Sequence, residues 1–541
     1  MNKKIAATLL LLFSIMSILD LSHPGMPITH DGKDHVARIA NFYTSMSEGI
    51  VIPRWAGNLN WGYGHPILEF LYPLPSYVAS FFHLIGVSFI DSTKIVLGLG
   101  TLLSGVCMFL WLSEFLGIWP ALVGAAMYEF APYRFVDIYV RGDVGENLAF
   151  VFVPLVLVFL YKYFQTKKHV FGIGISVSLA LLILSHNAIA LMFLPLIIFY
   201  SAYLFFSSGK YTIYQILHTL YFLLLGFGLS AFFWIPGLLE GRYTLRNIVT
   251  AGEYVTRFVS FPNLIYSPWN YGESGQFSVQ LGILSWAGLL LSPLAFLKVK
   301  KEKNVSWIFA AALIAYTLIA IFLMLPQSQF VWSRFILLQN FQFPWRFLAI
   351  PVFTTAVLMA MVLNRINKKW QIYICFVLLL FLLFISSNFW HAKGYFAKPD
   401  SFFSGIYDGT TDTGESSPIW STRFIEHRFK NPMEVIGGAA AVLQIKRTST
   451  EHVYKVNVSN NAQLLENTVY FPGWEVKVDG NIVSINFQDT HNRGLLTFYV
   501  QMGNHLIDMK YSETRLRRIA DVITGLSLIA VVIVLLMPVL F

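Results

Sequence analysis

The chain has 541 residues, of which 56% are hydrophobic and only 12% are charged, and its formal net charge is +9. This composition excludes an ordinary soluble domain and predicts a polytopic membrane protein. The excess of lysine and arginine lies in short clusters between apolar segments, which is typical of the positive-inside bias and not of a nucleic-acid-binding surface. The clusters expected on the cytoplasmic side are Lys3-Lys4, 165–169, 298–303 and 364–369.

Apolar segments of membrane-spanning length recur along most of the chain. The first, residues 5–19, is short for a span but can be extended at both ends, and no cleavage site of small residues follows it. As a span or as a signal peptide, it places the following loop outside. The further apolar segments are 93–113, 120–137, 146–164, 170–185, 187–206, 213–235, 279–297, 306–325, 346–363, 371–389 and 519–541. Together they predict about 12 to 13 spans.

Residues 67–90 are apolar but contain Pro73 and Pro75, which interrupt a helix. The positive clusters all fall on one side only if this stretch does not cross the membrane completely. It is therefore predicted to be a re-entrant or interfacial helix within the first outer loop, residues 20–92.

The composition changes after the apolar segment that ends near residue 389. Residues 391–515 are polar and rich in Gly, Asn, Thr and Ser, with alternating strands around a hairpin turn at Asp479-Gly480. They predict a small extracytoplasmic β-domain, similar to a sandwich.

The predicted fold class is mainly α, a polytopic transmembrane helix bundle followed by the β-domain and a last transmembrane helix. The three parts are 1–390, 391–515 and 516–541. Arginines at the outer end of the last helix, Arg515, Arg517 and Arg518, run against the positive-inside bias.

The first outer loop contains a helical pattern with two faces. The titratable face has Asp31, Asp34, His35 and Arg38, and the apolar face has Val36, Ile39, Ala40 and Tyr43. This pattern predicts an amphipathic helix in the membrane interface. The alternative is that Asp31 only caps the helix and Asp34 adds charge to its first turn.

A second charged cluster, Arg141, Asp143 and Glu146, lies at the edge of two predicted spans. Charge is costly there and tends to be functional, although Arg141 could simply pair with a neighbouring carboxylate and end the helices. The topology places this cluster and the first outer loop on the same side as loops 236–278 and 326–345. These segments can meet over one cavity.

Several common chemistries have no motif in this sequence. It contains no P-loop, no Rossmann glycine fingerprint and no His-Glu-x-x-His. His30 and His35 have a poor spacing for two metal ligands on one helical face. Cys107 and Cys375 lie within apolar runs, so we expect neither a disulfide nor a cysteine-ligated zinc ion.

Short motifs of this chain resemble a group of bacterial membrane proteins labelled "6-pyruvoyl-tetrahydropterin synthase-related". They are His30-Asp31-Gly-x-x-His35-x-x-Arg38, Pro53-Arg54-Trp55, Arg141-Gly-Asp143-x-x-Glu146, Leu184-Ser-His186-Asn187 and Gln342-Phe-Pro-Trp-Arg346. The C-terminal stretch 470–480 resembles the outer domain of YfhO-like proteins, and the acidic outer loops resemble those of the GT-C membrane glycosyltransferases. Pterin chemistry is not expected, because the soluble synthase needs a histidine-zinc site that this chain does not offer.

The GT-C resemblance implies an inverting glycosyltransferase in the cell membrane. Its partners would be a polyprenyl-phosphate sugar donor, membrane lipid and an extracytoplasmic glycan, lipid or protein acceptor of the cell envelope, with no nucleic acid. Asp31 matches the position of the general base. Arg346, Arg141 and Arg54 are the candidates to hold the phosphate, and the alternative for each is an interfacial anchor beside tryptophan.

Asp143 and Glu146 match the second acidic position of the GT-C enzymes, where a divalent cation or the acceptor is bound. The Asp-x-x-Glu spacing departs from Asp-x-Asp, so no cofactor is assigned and a divalent cation stays an open alternative. His186 is expected at an inner-side turn or within a bent helix pair, where it could only satisfy a buried polar contact. The predicted substrate-binding residues are His30, Asp34, His35, Arg38, Arg54, Trp55, Arg141, Asp143, Glu146, His186 and Arg346.

Two other functions stay open from the sequence. The chain could be a non-catalytic transporter or assembly scaffold for lipid-linked glycans, although a transporter should show paired broken helices near the bilayer midplane. Alternatively, the β-domain could bind cell-wall polymer while the membrane part only anchors it.

Overall fold

The structure is a computed structural model that describes residues 2–207, 212–272, 276–296 and 307–536. Its helices are α1 (Lys3–Ile15), α2 (Gly32–Ser47), α3 (Ile67–Phe70), α4 (Leu74–Leu84), α5 (Phe89–Leu112), α6 (Ile118–Glu129), α7 (Pro132–Phe135), α8 (Val144–Thr166), α9 (His169–Ser185), α10 (Asn187–Ser207), α11 (Ile213–Leu229), α12 (Ala231–Leu239), α13 (Arg246–Val249), α14 (Phe261–Ile265), α15 (Ile283–Leu291), α16 (Trp307–Met324), α17 (Gln329–Arg334), α18 (Ile336–Gln339), α19 (Ala349–Leu363), α20 (Lys368–Ser386), α21 (Asp400–Ser404) and α22 (Arg515–Leu536). The strands are β1 (Met26–Pro27), β2 (Tyr395–Phe396), β3 (Met433–Arg447), β4 (Glu451–Val469), β5 (Trp474–Val478), β6 (Asn481–Val483), β7 (Leu495–Val500) and β8 (Gly503–Tyr511). The predicted fold class, a helix bundle with a β-domain near the C-terminus, is confirmed.

Eight helices of the described chain are long and apolar enough to cross a membrane, and a bent pair of helices raises the number to nine. The eight are Lys3–Ser22, Phe89–Leu112, Val144–Thr166, Asn187–Ser207, Trp307–Met324, Pro344–Leu363, Lys368–Ser386 and Arg515–Leu536. The bent pair, Ile213–Leu229 and Ala231–Tyr243, turns by 69°. The predicted segments 170–185 and 279–297 form shorter apolar helices, His169–Ser185 and Ile283–Phe296.

The centre of the bundle is formed by α8 and α19, because nearly all of their residues are buried. The stretch 67–90 contains only the short helices α3 and α4 before α5 begins, and neither is among the candidate spans of the described chain. The positive cluster 298–303 and the last five residues of the predicted C-terminal span lie outside the described residues.

The β-domain is built on one sheet of six strands, in the order β3-β4-β8-β5-β6 with β7 paired to β4. All pairs are antiparallel, and β4 pairs with β8 along its first half and with β7 along its second half. Apolar residues of both halves share one hydrophobic core, as their alternation predicts. The Asp479-Gly480 turn joins β5 and β6 as predicted, with Asp479 at φ 51° and Gly480 at φ 83°.

The segment between α20 and β3 is largely not β-structure, although it falls within the predicted β-domain. Residues 405–423, which we call the strap, run back along the membrane module. The N–H of Tyr407 donates to the Asn58 carbonyl over 2.8 Å, and the N–H of Leu245 donates to the Ser417 carbonyl over 2.8 Å. The strap therefore belongs to the membrane module as much as to the sheet.

The last helix is fixed to the bundle by buried ion pairs. Arg517 is fully buried and donates to Glu69 and Glu240, each over 2.7 Å. The neighbouring Arg515 and Arg518 are exposed. Because Arg517 is paired inside the protein, its position is not evidence for or against the predicted orientation of the chain in the membrane.

Candidate active site

A polar cavity of about 610 Å³ lies where the loops at one end of the helix bundle meet the strap. Its charged and titratable lining residues are His30, Asp31, Asp34, His35, Arg38, Tyr72, Arg141, Asp143, His186, Arg246, Glu253, Arg257, Arg346, Asp412, Glu415 and Arg423. The cavity therefore collects every predicted site residue except Arg54, Trp55 and Glu146.

Asp31 lies at the start of α2 with an unpartnered carboxylate. Its backbone N–H donates to the Arg141 carbonyl over 2.8 Å, which joins the first loop to the second. The N–H of Gly32 is capped by the Thr29 hydroxyl, while Asp31 makes no capping hydrogen bond. Within the described part of the chain, no hydrogen bond or ion pair engages the Asp31 carboxylate. The capping alternative therefore does not describe this residue.

The electrostatics of Asp31 suit a base. Burial raises the pKa of Asp31 above its ordinary value of 3.8, an effect that Arg141 and Arg38 partly offset. The negative charges of Asp143 and Asp34 raise the pKa further. A carboxylate with a raised pKa accepts a proton more readily than an ordinary aspartate.

Gly142 allows the loop that contains Arg141 to approach the start of α2 closely. Its φ is +71°, and a Cβ at this position would lie 2.4 Å from Thr29 Oγ1 and 3.0 Å from the Gly32 nitrogen. Only glycine fits both the conformation and the space.

Arg141 is already engaged by carboxylates. It donates to Asp137 over 2.6 Å, to Asp143 over 2.6 Å and to Glu146 over 2.7 Å. The guanidinium also packs on Trp345, with 4.8 Å to the ring centroid. These ion pairs engage both terminal nitrogens of Arg141, and the phosphate role expected for this arginine stays a prediction. Pairing with neighbouring carboxylates, the alternative considered for Arg141, is what the structure shows.

The strap supplies one wall of the cavity and holds the titratable face of α2. Arg38 donates through Nε to Thr411 Oγ1 over 3.0 Å and through a second nitrogen to the Thr411 carbonyl. The Tyr407 hydroxyl donates to Asp34 over 2.7 Å. Thr411 has φ +67°, an unfavourable conformation that these contacts maintain. Arg38 and Asp34 therefore position the strap as well as lining the cavity.

The two buried histidines of the cavity are neutral. Burial, assisted by Arg38, lowers the pKa of His35 to about 3. Burial also lowers the pKa of His186, against the opposing effect of Asp143. His186 Nδ1 accepts from the N–H of Ile189 over 3.2 Å, so its proton is on Nε2, 4.0 Å from Asp143. His30 is more exposed, and its Nε2 lies 3.2 Å from the Tyr271 carbonyl.

The position of His186 corrects the expectation of an inner-side turn. The chain reverses at His186 with no intervening loop, because α9 ends at Ser185 and α10 begins at Asn187. This reversal lies at the same end of the bundle as Asp31 and Asp143, where all three line one cavity.

Three arginines line another part of the cavity, and we call Arg246, Arg257 and Arg346 the arginine side. Arg346 donates to the Phe341 carbonyl over 3.0 Å, while its Nε is buried without a partner in the described chain. Burial lowers the pKa of Arg246, and the neighbouring positive charge of Arg346 lowers it further. Guanidinium groups that line one cavity can bind an anion there with charge-assisted hydrogen bonds.

An apolar groove of about 270 Å³ adjoins the arginine side. Its walls are residues of α9, α10 and α12 with Leu337 and Phe341, and they are predominantly aliphatic or aromatic. The groove shares five lining residues with the polar cavity: Phe70, Asn187, Ala188, Arg246 and Asn340. An apolar groove thus opens onto the arginine side.

Arg54 and Trp55 do not line the cavity. Arg54 donates to Asp521 over 2.6 Å and to Glu513 over 3.1 Å, which attaches α22. Trp55 packs edge-on against Trp474 at 5.5 Å. Their role here is to join the β-domain and α22 to the bundle.

Glu146 lies behind the cavity wall, where it accepts from Arg141 and from the Tyr133 hydroxyl. Asp143, Glu146 and His186 have ligand atoms within 4.8 Å of one another and could together hold a metal ion. The two carboxylates are already neutralised in part by Arg141, so a cation here would compete with that guanidinium. The chemistry of the donors permits a divalent ion without requiring one.

Several lining residues were not singled out from the sequence. Arg246 and Arg257 lie in a loop that was expected on this side but has no motif. Asp412, Glu415 and Arg423 lie in the strap, which the sequence assigned to the β-domain. The available signal was the charge of these segments, and nothing in their spacing indicated a shared cavity.

A bundle of many apolar helices with a polar cavity at one end defines a multi-pass membrane protein. The chain belongs to the family described as "6-pyruvoyl-tetrahydropterin synthase related domain; membrane protein", whose model matches residues 68–392. This confirms the resemblance seen in the motifs. A protein of Lactococcus lactis subsp. cremoris (strain MG1363), described as uncharacterized, is 26% identical over 236 residues, or 40% of this chain and 38% of the relative. The match thus spans less than half of that relative.

Solved structures similar to this chain include glycosyltransferases of the GT-C type. Arabinofuranosyltransferase AftD from mycobacteria has a TM-score of 0.47 at 15% identity, over 72% of this chain and 26% of AftD. Oligosaccharyltransferase AglB from Archaeoglobus fulgidus, in complex with an inhibitory peptide and a dolichol-phosphate, has a TM-score of 0.44 at 14% identity, over 78% of this chain and 61% of AglB. ArnT from Cupriavidus metallidurans, bound to undecaprenyl phosphate, has a TM-score of 0.28 at 14% identity, over 67% of this chain and 77% of ArnT.

Proposed function

We propose that this chain is a membrane glycosyltransferase that moves a sugar from a polyprenyl-phosphate donor to a hydroxyl of an extracytoplasmic glycan, lipid or protein. The observation that carries the proposal is the composition of one cavity. It contains the unpartnered Asp31 carboxylate and two arginines whose charges interact, Arg246 and Arg346, and it opens onto an apolar groove.

The groove, the arginines and Asp31 each correspond to one part of such a donor. The groove offers apolar surface to an isoprenoid chain that stays in lipid. Arg246, which lines both the groove and the cavity, and Arg346, which lines the cavity, hold the phosphate with charge-assisted hydrogen bonds. The sugar then extends from the phosphate toward Asp31.

The chemistry is a single displacement with inversion. The acceptor oxygen forms a bond to the anomeric carbon while the bond from that carbon to the phosphate oxygen breaks. The Asp31 carboxylate accepts the hydroxyl proton, and its raised pKa suits this task. The electron pair of the broken bond leaves with the polyprenyl phosphate, whose charge the arginine side stabilises. His35 and His186 are neutral, and they line the cavity as hydrogen-bonding groups without a charge.

The proposal is tested with the purified full chain in lipid nanodiscs. Radiolabelled polyprenyl-phosphate sugars are supplied together with extracted envelope lipids and glycans as acceptors. We expect label to move to an acceptor and free polyprenyl phosphate to form in equal amount. If no donor is bound or consumed under any of these conditions, the proposal is wrong.

A further inference from the structure

The cavity distributes its charges unequally, and this bears on the kind of sugar that it accepts. The part around the proposed base, which we call the Asp31 side, is lined by the carboxylates Asp31, Asp34 and Asp143 and by the guanidinium groups of Arg38 and Arg141. The charges that act on Asp31 are those of the other four groups, Asp34, Asp143, Arg38 and Arg141. On the arginine side, the charges that act on Arg246 are Glu415 and Arg346 and none of these groups, whereas Arg346 lies nearer and its charge also acts on His186.

Both guanidinium groups on the Asp31 side are already engaged by protein acceptors. Arg141 is held by three carboxylates at 2.6 to 2.7 Å, and its side chain is only 4% exposed. Arg38 donates twice to Thr411 and contacts His35 through its remaining nitrogen. Breaking these contacts would leave buried partners unpaired, which is costly.

The two buried histidines of this side, His35 and His186, do not supply a positive charge either. Burial keeps the pKa of His35 at about 3 and lowers that of His186, so both are neutral near pH 7. A group bound beside Asp31 therefore meets carboxylates and neutral imidazoles, while both guanidinium groups of this side are already paired with protein acceptors.

We propose that the Asp31 side selects a neutral or positively charged sugar and rejects a sugar that bears a carboxylate. This inference rests on the proposed function, which places the transferred sugar beside Asp31 and its phosphate on the arginine side. A uronate would be brought, partly desolvated, next to Asp31, Asp34 and Asp143, where both arginines are already paired with protein groups. Juxtaposed like charges oppose binding strongly in such a site.

The residue that sets the selectivity is Asp34. Its carboxylate accepts from Tyr407 at the cavity wall, and Asn at this position keeps an acceptor for that bond while removing the charge. Glu426 serves as a matched control, since it is an exposed carboxylate outside the cavity lining.

The test uses three synthetic donors with the same short polyprenyl phosphate, joined to glucose, glucosamine or glucuronate, together with the bare polyprenyl phosphate. Dissociation constants are measured on the full chain in nanodiscs by competition with a fluorescent polyprenyl phosphate. We expect the glucuronosyl donor to bind at least tenfold more weakly than the other two donors. Asp34→Asn should reduce this difference in dissociation constant, and Glu426→Gln should leave the difference unchanged.

The outcomes separate the two proposals. Binding of the glucuronosyl donor as tight as that of the glucosyl donor would overturn the charge selection and leave the transferase proposal intact. An unchanged difference in the Asp34→Asn protein would equally reject the assignment of Asp34. If none of the four compounds binds, including the bare phosphate, the proposed function itself fails.

Discussion

The backbone N–H of Asp31 donates to the carbonyl of Arg141 over 2.8 Å, although the two residues belong to different loops. This bond places the unpartnered carboxylate of Asp31 beside a guanidinium that three other carboxylates already hold. Arg141 thus influences Asp31 electrostatically without forming an ion pair with it. The Asp31 carboxylate is therefore unpaired in a polar cavity, while its neighbour Arg141 is paired.

The arginine side should control donor affinity. Arg246→Ala or Arg346→Ala should each weaken donor binding by about 1.5–3 kcal/mol, the range for hydrogen bonds to charged groups, or roughly tenfold or more. The physical reason is the loss of a guanidinium that pairs with the phosphate at the mouth of the groove. Equilibrium binding of a labelled polyprenyl phosphate measures the effect.

Arg242→Ala is the matched control for these two variants. Arg242 is exposed and contacts the hydroxyl and ring of Tyr243, and it does not line the cavity. Equal weakening by Arg242→Ala and Arg246→Ala would show that the effect is general surface charge, and the assignment of the arginine side would be wrong.

The pH dependence of transfer should report Asp31. Because burial raises the pKa of Asp31 above 3.8, the active, ionised form is lost as the pH falls through that raised pKa. The value of kcat/KM should therefore fall on the acid side with an apparent pKa above 3.8. Asp34→Asn removes a negative charge that raises the Asp31 pKa, so its acid limb should move to lower pH. A shift of that limb to higher pH would contradict the assignment.

Arg517 should be essential for stability. It is buried between Glu69 and Glu240, and Arg517→Met would leave both carboxylates without their partner. Loss of one member of a buried ion pair typically costs about 3–5 kcal/mol. Thermal unfolding in detergent should show a large fall in the midpoint for Arg517→Met and almost none for Arg518→Met, which alters an exposed residue. Similar midpoints for the two variants would mean that the network does not hold α22 in place.

The helical part of the fold could be predicted because apolar length and amphipathic spacing are local properties of a sequence. The face of α2 that contains Asp31, Asp34, His35 and Arg38 follows from that spacing, and all four residues line the cavity. The β5–β6 hairpin followed equally from Asp479-Gly480, since the turn needs residues that tolerate positive φ.

The partners of these side chains could not be predicted, because they depend on contacts between distant segments. Arg141 pairs with carboxylates close in sequence, but only the fold shows that it reaches all three at once. Arg54 pairs with α22 at the far end of the chain. The strap has no periodic pattern, so its return to Arg38 and Asp34 leaves no trace in the sequence.

The most direct measurement is of donor binding and turnover in the same preparation of Asp31→Asn. The carboxylate makes no hydrogen bond among the described residues, so the variant should fold, insert and bind donor like the natural chain. Its kcat should fall by about 10²–10⁴-fold, the usual contribution of a general base. Asp408→Asn, which alters an exposed carboxylate paired with Arg428, should keep full turnover. Undiminished kcat in Asp31→Asn would contradict the account.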